Sequence, residues 1–166
     1  MAQKYGKKET FIISQSISVI GYILFWFLFI PGQPYMFLFA LPFFSFGIGG
    51  LFTLMMSMTA DTCDYEELEN GLPRKEGSFG AIYWWMVKLG TALAGLLSGL
   101  IMYYVGFSAD ASSQPEGALT GLRIAYSTIP IIGTLIAIYV MSDYEINEDR
   151  AAETRSQLQE RKGEMY

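Results

Sequence analysis

The sequence predicts an all-α membrane protein with four transmembrane helices, and three observations support that prediction. The chain has 166 residues, is 52% hydrophobic and 16% aromatic, and has a mean hydropathy of +0.30. No charged side chain occurs between Thr10 and Ala60, and apolar runs of about 20 residues are enough to cross roughly 30 Å of hydrocarbon. With four spans, nearly all Lys and Arg residues fall on one side of the membrane, as topology in bilayers requires.

Residues 1–10 form a polar start with Lys4, Lys7 and Lys8. The apolar run behind them is too long for the core of a secretory signal, and no small-residue cleavage site follows, so it is read as a retained span, 11–30. Pro31-Gly32-Gln33-Pro34 cannot continue a helix. So short a link makes the flanking helices antiparallel neighbours. The second span, 35–58, contains Pro42, which would remove a helical hydrogen bond and bend it, and Gly47, Gly49 and Gly50, which admit close backbones. A dense charged loop follows, with Asp61, Asp64, Glu66, Glu67, Glu69, Arg74, Lys75 and Glu76. The third span is 78–104. Its Ala92, Gly95, Ser98 and Gly99 put small residues on one side, where helices approach by van der Waals packing. A polar loop with Ser112, Ser113, Gln114 and Pro115 leads to the fourth span, 122–141, which holds Pro130. The membrane domain is thus 11–141. In the tail, 142–166, Ile146, Ala151, Ala152 and Leu158 are too few to hold a core, which predicts a solvated, partly helical segment.

Four spans put Lys4, Lys7, Lys8, Arg74, Lys75, Arg150, Arg155, Arg161 and Lys162 on one side, with both termini in the cytoplasm. Three or five spans would split them. The exceptions are Lys88, in mid-span, and Arg123, at the mouth of the last span. Several functions are excluded by what is missing. Histidine is absent, Cys63 is the one cysteine, no metal-ligand spacing surrounds it, and no basic patch suggests nucleic acid. No nucleophile–base pair is visible, so an enzyme is not expected.

Lys88 lies about 16 Å beyond Gly77 along a helix, close to the bilayer midplane. A charge there costs at least roughly 2.5 kcal/mol on insertion scales. It should therefore face a polar cavity or an anionic partner, yet no span of this chain carries Asp or Glu. A functional cavity lysine and a tolerated or neutralised one are the two readings. Trp84, one turn earlier on the same face, offers an apolar ring and one N–H donor that suit a ring-shaped polar ligand such as a sugar; equally, tryptophans near span ends mark the interface. Asp61 and Asp64 share a helical face where the helix dipole disfavours carboxylates. Cations from another helix end would compensate and make an ion-pair gate; a solvated face is the alternative.

The run Ala60-Asp61-Thr62-Cys63-Asp64-Tyr65-Glu66-Glu67, with Asn70-Gly71, Arg74-Lys75-Glu76-Gly77 and Lys88-Leu89-Gly90, resembles the loop between helices ten and eleven of the glycoside–pentoside–hexuronide:cation symporters. These form the melibiose-carrier branch of the major facilitator superfamily. Gly6-Lys7-Lys8 and Ile129-Pro130 also fit, while Pro73 looks like an added residue that leaves the alignment of Leu72 open. The resemblance implies a partial major facilitator fold, helices nine to twelve of the C-terminal six-helix bundle. It implies that Lys88, Trp84 and Phe52 face the sugar, and that Asp61, Asp64, Glu67 and Arg74 take part in cytoplasmic closure. It further implies a sugar or glycoside substrate and a coupling Na⁺ or H⁺ whose carboxylates belong to the N-terminal half, so the chain is expected to be the C-terminal portion of a larger carrier in the cell membrane. Those N-terminal helices, or another chain, would be its partners. No cofactor is expected. Two other readings stay open: a four-helix multidrug-type carrier acting as a homo-oligomer, although the first span lacks the acid that proton exchange needs, and a non-transporting anchor or assembly subunit.

Overall fold

The computed structural model describes residues 5–163 apart from 31, 34, 72, 109, 112 and 116. Lys4, Pro31, Pro34, Leu72 and Ser112 thus lie outside the described residues. Among the described residues the order is α1 (Lys7–Leu28), a 3-10 turn (Met36–Phe39), α2 (Leu41–Asn70), α3 (Glu76–Tyr104), α4 (Ala118–Ser142) and α5 (Glu148–Gly163), with no strand. The first four α-helices are long and apolar enough to cross a membrane.

The boundaries of α2 differ from those expected, for local reasons. Pro42 sits in its first turn, where a missing N–H would be unpaired anyway, so it costs no hydrogen bond and starts the helix rather than bending it. At the other end the acids do not form a loop. Glu66, Glu67, Leu68 and Glu69 are good helix formers, and the helix runs on until Gly71 takes a left-handed φ of 65° and donates its N–H to the Glu67 carbonyl at 3.0 Å. Its 30 residues span about 45 Å, against roughly 30 Å of hydrocarbon, so the acidic turns project beyond the apolar layer.

The core is the contact of α1 with α2, and it rests on small residues. A methyl group on Gly47 would lie 1.6 Å from Ser18 Oγ, one on Gly50 2.7 Å from Ser14 Oγ, and one on Gly21 2.8 Å from Phe43 Cβ. Gln15 donates from Nε2 to the Gly47 carbonyl at 3.0 Å, and Tyr22 stacks on Phe44 with centroids 5.8 Å apart. Backbones this close gain dispersion contacts where lipid supplies no hydrophobic drive. α4 also packs along α1, and Arg123 donates from Nε to the Trp26 carbonyl while its guanidinium lies 4.7 Å over the Trp26 ring.

α3 stands apart. None of its residues is buried, and Gly90, Gly95 and Gly99 have nothing within 4 Å of where a Cβ would be. Of the close approaches expected, those at Gly47 and Gly50 are made, against α1, together with one at Gly21, while among the described residues nothing comes within 4 Å of a Cβ on Gly49, Gly95 or Gly99. Toward its C-terminal end α3 does meet α4: the side chain of Val105, just after α3, would be 2.6 Å from a Cβ on Gly121 at the start of α4, and Ser98 Oγ is 3.3 Å from Tyr126 Oη.

These contacts establish that the four long helices alternate in direction. Lys7 at the start of α1 pairs with Asp61 in the C-terminal third of α2, and Lys8 donates to the carbonyls of Ser142 (2.5 Å), the last residue of α4, and Tyr144 (3.2 Å), just past it. The Trp26–Arg123 contact joins the end of α1 to the start of α4 at the opposite pole. The tail is more ordered than its composition predicts. α5 is a helix whose Ala151, Thr154 and Leu158 are buried, at spacings of three and four, and it docks on α2.

Candidate functional site

Two sets of residues carry candidate chemistry. At the charged pole, four carboxylates on the last turns of α2, those of Asp61, Asp64, Glu66 and Glu67, each meet a cation from elsewhere. Asp61, 5% exposed, pairs with Lys7 of α1 and lies 4.0 Å from Arg155 of α5. Asp64 lies 3.3 Å from Arg74, whose other arm reaches Glu76 at 2.9 Å. Glu66 meets Lys75 at 2.6 Å, and Glu67 meets Lys162 of α5 at 2.9 Å. Arg150 of α5 donates to Tyr65 Oη at 3.0 Å, with its guanidinium 5.0 Å from that ring. Carboxylates at a helix C-terminus are disfavoured by the dipole, and five cations from α1, the 71–75 connection and α5 offset this. The Tyr144 hydroxyl donates to the Met58 carbonyl at 3.4 Å. Burial pushes its phenol above the ordinary range, a hydrogen bond with Thr62 opposes the shift, and the charge of Asp61 adds to it.

Asp61, Asp64, Glu67 and Arg74 are therefore in one ion-paired cap, although only Asp64 and Arg74 pair with each other. Lys7, Arg150, Arg155, Lys162 and Tyr65 belong to it as well and were not foreseen. One available signal was the spacing of Ala151, Thr154 and Leu158, which makes one face of an otherwise charged helix. Just inside the cap, Thr59, Cys63, Glu76 and Tyr83 line a cavity of about 250 Å³ between α2 and α3.

The second set lies further along α3 and α2. Lys88 is exposed in the middle of α3, and among the described residues nothing forms a hydrogen bond or ion pair with it. Trp84 is exposed one turn away, with Tyr83 edge-on at 5.4 Å. Phe52 is exposed on α2, and no ring contact joins it to Trp84 among the described residues. The chain thus places these three on open helix faces rather than in an enclosed pocket. Among the described residues no group of His, Cys, Asp and Glu is arranged to hold a metal ion.

Four membrane-length helices, an ion-paired cap at one pole and a mid-helix cation without a partner among the described residues define a multi-pass membrane protein. The sequence matches the family described as MFS/sugar transport protein over residues 1–148, and the chain belongs to that family, within its glycoside–pentoside–hexuronide:cation symporters. It is similar to the Glucuronide carrier protein homolog of Escherichia coli K12, 29% identical over 162 residues that cover 98% of this chain and 35% of that protein. It is also similar to the Isoprimeverose transporter of Lactiplantibacillus pentosus, 26% identical over 89% of this chain and 30% of that protein. An Uncharacterized symporter of Bacillus subtilis, YjmB, is 25% identical over 97% of this chain and 34% of its own length. The chain thus spans about a third of the length of these relatives. No solved structure matches it.

Proposed function

We propose that these helices form part of a secondary active sugar:cation symporter that works by alternating access, two bundles rocking about a site near the midplane. The observation that carries the reading is Lys88: a cation in mid-helix, without a partner among the described residues, on a helix that buries nothing. A charge at that depth needs an anionic or polar partner, and the relatives' greater length allows other helices to cover α3 and complete a cavity. Within it Lys88 donates hydrogen bonds to sugar hydroxyls, Trp84 offers its ring face, and Phe52 lines the α2 side. Asp61, Asp64, Glu67 and Arg74 take part in closure at the cytoplasmic face, which is the pole where Lys and Arg collect. The coupling ion, Na⁺ or H⁺, requires an intramembrane carboxylate, and the spans of this chain contain none; it binds on other helices of the transporter.

The test is sugar uptake by membranes carrying this chain together with the polypeptide that completes the carrier. A hydrogen bond from a charged donor contributes about 1.5–3 kcal/mol, so Lys88→Ala should weaken sugar affinity by about 10- to 150-fold. Unchanged uptake and affinity in that variant would remove Lys88 from the site. Replacing Na⁺ by choline, and separately collapsing the proton gradient, identifies the coupling ion.

A further inference from the structure

We propose that α5 is a salt-sensitive strap across the charged ends of α1 and α2. Docked, it withholds Asp61 and Glu67 from other cations; released, it frees them. The role of those acids in closure rests on the transporter reading above, but the strap itself rests on the contacts of α5.

Little apolar surface holds α5 in place. Of its 16 residues only Ala151, Thr154 and Leu158 are buried, and the rest of its attachment is electrostatic. Lys162 reaches Glu67 at 2.9 Å, Arg155 lies 4.0 Å from Asp61, and Arg150 meets Tyr65 at 3.0 Å. The cationic side chains are half exposed, so dissolved ions compete for these pairs. Asp61 is the convergence point: one carboxylate takes Lys7 from α1 and Arg155 from α5, so α5 helps to bind the ends of two membrane helices that any rocking motion must allow to move. Docking also sustains the helix itself. An isolated polar helix of this length is marginal in water, so release and fraying are coupled.

Hydrogen–deuterium exchange of the whole chain in detergent, followed by mass spectrometry of the 148–163 segment, tests this without any substitution. The screening length falls from roughly 10 Å at 0.1 M salt to about 3 Å at 1 M. Amides of α5 should therefore exchange slowly at low salt and about fivefold or more faster at high salt, while those of α1 stay unchanged. Lys162→Glu should reproduce the fast exchange at low salt, and Glu67→Lys with Lys162→Glu should restore protection. Slow exchange at every salt concentration would mean that apolar contact holds the helix, and fast exchange throughout that it does not dock; either result overturns the proposal. So does a charge swap that fails to restore protection. Because exchange is read without transport, failure of the symporter reading would leave these rates as they are, and the two can fail independently.

Discussion

Gly47→Ala offers the sharpest test of the packing described above. The new methyl group would fall 1.6 Å from Ser18 Oγ, 2.8 Å from Ser18 Cβ and 3.0 Å from the Ser14 carbonyl oxygen. Rotating the serine hydroxyl relieves only the first of these clashes, so α1 must move away from α2. Overpacking of this kind costs about 1–3 kcal/mol, and the shift also endangers the Gln15–Gly47 hydrogen bond, which is worth about 0.5–1.5 kcal/mol. The better helix propensity of alanine returns about 0.5–1 kcal/mol, leaving a net loss of about 0.5–4 kcal/mol. Two neighbouring glycines serve as controls. A methyl on Gly49 meets nothing within 4 Å, so Gly49→Ala should be neutral or slightly stabilising; a methyl on Gly50 falls 2.7 Å from Ser14 Oγ and 2.9 Å from Ser14 Cβ but near no backbone atom of α1, and should fall between. The chain carries its own reporter, since Cys63 is its one cysteine and is 1% exposed. A maleimide dye that reacts on unfolding in detergent then gives the midpoint. At about 2–4 °C per kcal/mol for a chain of this size, Gly47→Ala should melt about 1–16 °C lower. Adding Ser18→Gly should recover most of the loss. If Gly47→Ala melts with the unmodified chain, or Gly49→Ala falls just as far, the α1–α2 contact does not depend on this close approach.

The same assay ranks the acids of the cap. Asp61→Ala leaves the largely buried Lys7 unpaired, although Arg155 keeps Glu148 at 3.7 Å, and should cost about 1.5–3 kcal/mol, whereas Asp64→Ala leaves the more exposed Arg74 its contact with Glu76 and should cost about 0.2–1 kcal/mol. Equal losses would contradict the convergence of charge on Asp61. Gly71→Ala forces a side chain into a left-handed φ of 65° and should cost about 1–2 kcal/mol, with Gly71→Asn milder; circular dichroism at the melting midpoint distinguishes them, and an Ala variant as stable as the Asn one would argue against that helix end.

The four long helices were legible because membrane solvation writes itself locally. A run such as Phe11–Leu28 needs no knowledge of its neighbours to be helical in hydrocarbon, since every backbone group must be paired within the segment. The alternation of the helices followed from the placement of Lys and Arg, and the contacts of Lys7 and Arg123 reproduce it. The end of α2 was less legible. Acids in series suggested a solvated loop, but they are good helix formers once cations from three other segments neutralise them.

The sequence by itself determined which segments are long and apolar enough to cross a membrane, in what alternation, and that Lys88 would stand in mid-helix without an acid in any apolar run of this chain. Only the tertiary structure decided which glycines bring backbones together, because Gly95 and Gly99 lie within one helical turn of each other, as Gly47 and Gly50 do, yet have no helix against them among the described residues. It likewise decided that the polar tail folds back, since the pairing of Lys162 with Glu67 and Arg155 with Asp61 depends on distances through space that spacing along the chain does not encode. Hydropathy sums over neighbours in sequence, while packing and ion pairing are settled between residues that folding makes neighbours.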